Sequence, residues 1–82
     1  MNNIQLIKGT FSKVEAIELM TQLFKVKIQF HENKIGRTHN EEDIKMRESR
    51  IKQLQNDLFE ARKYIESKGD NIAMESEVIL MN

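Results

Sequence analysis

The sequence predicts a mainly helical α+β fold in the order β-α-α-β, with a long antiparallel helical hairpin and short terminal strands that pair antiparallel. Three observations lead there. A seam of residues spaced three and four apart runs from Ile44 to Ile65; a capped helix start stands at Ser12; and apolar runs of extended character lie near both ends. All 82 residues fit one domain, with a strand over 4–8, helices over 13–35 and 41–68, and a strand over 72–81.

The seam comprises Ile44, Arg47, Ile51, Leu54, Leu58, Ala61 and Ile65. This spacing keeps every member on one helical face, and Arg47 alone is not apolar. Lys45, Glu48, Lys52, Gln55, Lys63 and Glu66 fall elsewhere on the helix. So narrow an apolar stripe, coiled-coil-like in character, needs a partner along its length, and Leu54 and Leu58 at its centre are the expected core. Glu41, Glu42 and Asp43 suit the positive end of the helix dipole. The pairs Thr38 with Glu41 and Asn40 with Asp43 can each cap that end. Gly69 stands where a left-handed C-cap is expected.

Ile4 to Lys8 reads as a strand ending at Gly9, with Ile4 and Leu6 on one face and Gln5 and Ile7 on the other. Ser12 followed by Glu15 is a capping box, and Phe11 occupies the hydrophobic-staple position. The first helix then carries an apolar band from Val14 to Ile35 covering about half its circumference, wider than one neighbouring helix hides. The five residues 36–40 suit a tight antiparallel connection. Ile72, Met74, Val78 and Leu80 alternate along the last strand, and Val78–Met81 is apolar on both faces. With five residues in the first strand and ten in the second, Ser76–Met81 would project as an unpaired apolar edge.

Thirteen basic side chains balance thirteen acidic ones. A nucleic-acid binder normally carries a net basic field, so a nucleic-acid-associated regulator ranks behind the other readings. There is no cysteine, hence neither a disulfide nor a thiolate metal site. The opening residues lack the basic start and apolar core of a signal peptide, and no apolar run reaches the roughly 20 residues of a membrane span. A cytoplasmic protein is the expectation.

Lys27, His31 and Arg47 are the candidate ligand residues. Lys27 and His31 are one helical turn apart, and a hairpin turning near Thr38 brings Arg47 roughly level with residue 29. Three cations so placed could hold phosphate or carboxylate. The structural alternative pairs Arg47 with Asp43 one turn earlier and lifts the Lys27 ammonium into water. His31, His39 and Glu32 lack metal-ligand spacing, so no metal and no cofactor is expected. Ser12 and Ser49 have no evident histidine base, so no catalytic residue is assigned and the chain is read as non-enzymatic.

Leu6-Ile7-Lys8-Gly9-Thr10-Phe11-Ser12, Glu15-Ala16 and Lys27-Ile28-Gln29-Phe30-His31 together resemble a group of small uncharacterised bacterial proteins with a strand-helix-helix-strand layout. The resemblance implies that layout and no activity.

A chain this short supports only a marginal core, and with no covalent staple self-association is the expected remedy. The leading expectation is a structural or protein-interaction module acting as a homodimer. Val78, Ile79, Leu80, Met81 and Phe59 are its expected interface, and the protein partner is otherwise unspecified. The runner-up is a small regulatory module binding an anion through Lys27, His31 and Arg47.

Overall fold

The computed structural model describes residues 2–82. Strand β1 (Asn2–Phe11) leads into helix α1 (Lys13–Ile35), followed by helix α2 (Glu41–Ser67) and strand β2 (Ile72–Leu80). The two strands form one antiparallel sheet.

Helix α1 starts as its sequence dictates. Ser12 Oγ accepts from the Glu15 N–H at 3.2 Å and Glu15 Oε1 from the Ser12 N–H at 2.9 Å. A third free donor of this helix end is met from across the molecule, because Asp70 Oδ1 accepts from the Lys13 N–H at 3.0 Å. The Lys13 ammonium donates to the Glu66 carbonyl at 3.2 Å. These two bonds fasten the start of α1 to the end of α2, where both strands join the helices. At the other end of the hairpin, Asn40 is the cap of α2. Its Oδ1 accepts from the Asp43 N–H at 3.1 Å, while Thr38 Oγ1 accepts from the Asn40 N–H.

Helix α2 ends at Ser67, one residue before the expected end, and Gly69 is not its left-handed cap. Lys68 closes the helix with extended backbone, and its N–H bonds the Ile65 carbonyl. The left-handed residue is Asn71, at φ 50°. Asparagine tolerates that region better than most residues do. The reversal falls there because Asp70, just before it, is held against Lys13.

The strands depart further from expectation. β1 runs through Gly9 and is ten residues long, against nine in β2. Asn2, Asn3 and Ile4 pair with Leu80, Ile79 and Val78, so the expected unpaired stretch of β2 is paired as far as Leu80. β1 also carries an irregularity at Leu6. Gln5 pairs with Glu77 and Ile7 with Ser76, leaving Leu6 with no opposite residue. The Gln5 side-chain amide bonds the carbonyls of Ile7 and Ser76, both at 3.0 Å, and so bridges the step.

This bulge resets the alternation of β1. Ile4, Ile7 and Phe11 share a face with Ile72, Met74, Val78 and Leu80, because their pairing partners all lie on the even-numbered face of β2. Strict alternation puts Ile4 and Ile7 on opposite faces, and the register puts them on one. Deleting Leu6 should therefore leave the pairing and the apolar face intact, since the remaining residues alternate without a break. The expected change in stability is within about 1 kcal/mol, checked by denaturant titration. A collapse of the fold would show that the bulge itself is needed.

The ribbon does not lie along the hairpin. It touches α1 sparsely, and its main contacts are between its own strands. A 27-residue helix is about 40 Å long and a ten-residue strand about 33 Å. Placed end to end they would exceed the observed 45 × 33 × 13 Å extents, so ribbon and hairpin meet at an angle in a flat, bent body.

Among the described residues three are buried: Ala16 at 0%, Leu54 at 4% and Ile65 at 5% relative exposure. All three lie on the two helices. Ala16 follows the capping box, near the level of Ile65, where the Lys13–Glu66 bond draws the helices together. The core is thus a thread between two helices rather than a centre shared by four elements.

Candidate self-association surface

The apolar face of the ribbon is the first component of the site. Near the junction Ile7, Phe11, Ile72 and Met74 are partly covered. Farther out Ile4 is 45% and Leu80 50% exposed, and Val78 is also open. Of the interface residues expected from the sequence, Val78 and Leu80 lie on this face, and the register places Ile79 on the other. Met81 lies just beyond the strand and is exposed. Phe59 does not join them. It lines a hollow made only by α2, with Gln55, Leu58, Arg62, Lys63 and Glu66, and the Lys63 ammonium stands 5.2 Å from its ring centre.

The second component is a stripe that sequence reasoning did not single out. Leu19, Leu23, Val26 and Phe30 step by four, three and four along α1, roughly 110° round the helix from the residues facing α2. Val26 is 66% and Phe30 55% exposed, with Leu19 and Leu23 partly covered. By helical phase, exposed Met46 of α2 lies on the same side of the hairpin. The signal was present in the wide band of α1, which contains two stripes of different destination.

The two components meet at the junction. Phe11 of the ribbon face and Leu19 of the stripe line one hollow, together with Glu15, Glu18 and Gln22.

The three candidate ligand residues lie toward the other end of the hairpin. Arg47 Nη1 donates to His31 Nδ1 at 3.0 Å, which puts the neutral ring's proton on Nε2. Arg47 Nε stands 3.5 Å from Asp43 Oδ1, so the expected ion pair is present. That Nε is nevertheless buried without a well-formed hydrogen bond. Lys27 is exposed, and it reaches His31 through its charge. The Phe30 ring meets the His31 imidazole edge-on at 5.6 Å between centres.

Lost hydration holds the His31 pKa below the ordinary imidazole value, with further lowering from the positive charges of Arg47, Arg50 and Lys27. The sign for stability follows directly. The unfolded chain binds the His31 proton more readily than the folded chain does. The contribution of neutral His31 is therefore complete above its ordinary value of 6.5 and is lost as pH falls from there through the lowered folded value.

Among the described residues no group of three or more metal-ligating side chains converges, and no helix is long and apolar enough to cross a membrane. No family model, no curated protein and no solved structure matches the chain.

Proposed function

We propose that the protein is a non-enzymatic structural or interaction module that acts as a homodimer. The observation carrying this reading is an excess of surface. The chain exposes 6607 Å². A compact 9.7 kDa monomer exposes about 5,100 Å² by the usual scaling, so the excess is about 1,500 Å². The radius of gyration is 15.3 Å, against about 12 Å for a compact chain of this length. Covering 1,500 Å² on each of two copies falls within the roughly 2,000–5,000 Å² of obligate homodimers. The exposed large apolar side chains include Ile4, Val78, Leu80 and Met81 at the outer ribbon and Val26 and Phe30 of the α1 stripe.

An isolated two-stranded ribbon is marginal in water. Burial of its open face by a partner therefore supports the ribbon as well as the association. The folded state and the dimer are then coupled, and the melting temperature should rise with protein concentration. A melting temperature independent of concentration over two decades contradicts the homodimer.

A second reading is favoured by one observation: every charge that shifts His31 is positive. An oxyanion held by Lys27, His31 and Arg47 would relieve that repulsion and favour protonation of the imidazole. Inorganic phosphate should then raise the midpoint of the His31 titration, followed by NMR of the ring, and Arg47→Met should abolish the rise while the fold persists. A midpoint unmoved by phosphate leaves Arg47 as the structural partner of Asp43 and His31.

A further inference from the structure

The outer ribbon and the α1 stripe are separate exposed apolar parts, and this restricts how a second copy can cover both. If two ribbons stack face to face, the Leu19–Leu23–Val26–Phe30 stripe stays in water. If two α1 stripes pack together, the ribbon stays in water. The parts belong to arms set at an angle, joined at the hollow lined by Phe11 and Leu19. Two bent bodies related by a two-fold axis can cover both parts at once, each placing its ribbon on the other's helix. A two-fold contact is reciprocal, so a ribbon laid on the partner's stripe requires the partner's ribbon on one's own.

Resting on the homodimer proposed above, we infer that the occupant of the α1 stripe is the ribbon of a second copy, with Ile4, Val78 and Leu80 lying over Val26 and Phe30 and the exchange repeated on the other side. The chemistry is like with like: aliphatic side chains of a strand pair against aliphatic and aromatic side chains of a helix. Deep in the crook, next to Glu15, Glu18 and Gln22, the hollow is polar-rimmed. The apolar ends of the two arms, Val26–Phe30 on the helix and Ile4 with Val78–Leu80 on the ribbon, therefore carry the contact. The bulge at Leu6 serves this arrangement. It holds Ile4 on the same face as Ile7 and Phe11, so the apolar face continues to the outer end of the ribbon. Continuity of that face over the full arm is what a reaching contact needs.

The chain contains no cysteine, so single cysteines report unambiguously. Chains carrying Val26→Cys are mixed with chains carrying Leu80→Cys, exchanged through mild unfolding and oxidised. Each chain bears one thiol, so every bridge is between copies. Both positions are half or more exposed in the protomer, and circular dichroism verifies the helices of each variant. The expected result is a 26–80 disulfide in several-fold excess over 80–80 and 26–26. Predominant 80–80 bridges would establish ribbon stacking and overturn the exchange, while predominant 26–26 bridges would establish helix stacking and do the same. Sedimentation of the reduced mixture separates the two levels. Dimers without any 26–80 bridge overturn the exchange alone, whereas monomers throughout overturn the homodimer on which it rests.

Discussion

A chain ending at Glu77 should lose both association and stability. The cut removes Val78, Ile79, Leu80 and Met81, and with them the pairing partners of Asn2, Asn3 and Ile4. The outer end of the ribbon then has neither a ladder nor an apolar face to offer. Each aliphatic side chain buried by a partner contributes about 1.5–3 kcal/mol before the costs of ordering and association. A net loss of about 1–2 kcal/mol lowers the melting temperature by roughly 4–16 °C for a domain of this size. Sedimentation at equal concentration should show a shift toward monomer alongside that drop. Chain ends often fray, and a frayed tail makes a different prediction: unchanged mass and unchanged stability. That pair of results would place Val78–Met81 outside the interface.

Leu54→Ala should destabilise the protein by about 2–5 kcal/mol, the range for truncating a buried leucine. Leu54 sits in the middle of the seam and is 4% exposed. With three buried residues among those described, the neighbouring core has little material with which to refill the cavity. Leu58, its seam neighbour, is partly exposed and lines one hollow on α2 and another shared with α1, so Leu58→Ala should cost less. Chemical denaturation at a fixed protein concentration ranks the two. No loss at Leu54 would mean that the helices do not meet along the Ile44–Ile65 line.

Much of the fold was legible because its signals are local. The three-and-four spacing from Ile44 to Ile65, the Ser12–Glu15 capping box and the Asn40–Asp43 cap each act within one or two turns, and each appears where the sequence put it. The strands were legible in existence and pairing but not in extent. Leu6 breaks the alternation of β1, and only cross-strand register reveals that Ile4 and Ile7 share a face. Gly69 was the natural stop for α2, yet Asp70 is bound to Lys13, 57 residues earlier, and the reversal passes to Asn71. The angle between ribbon and hairpin had no local signal at all. It depends on how four elements meet at one junction, and single-residue preferences do not encode that.

The candidate surface divides along the same line. Val78 and Leu80 were readable from apolar alternation at the chain's end. Phe59 is expected at the interface from its sequence, but its position opposite the stripe, beside Lys63, puts it on another flank. Val26 and Phe30 were counted in a broad band without a destination. Separating that band into two stripes required knowing which side of α1 faces α2. His31 and Arg47 were brought together as the hairpin register required, within two residues of the expected level.

In the proposed homodimer, one copy of this chain leaves its apolar surface unfinished and a second copy completes it. Sedimentation equilibrium of the intact chain across micromolar concentrations tests it most directly. The expected species has twice the 9.7 kDa chain mass and dissociates only on dilution. A single species of 9.7 kDa at every concentration, with the helices and ribbon intact by circular dichroism, would contradict it.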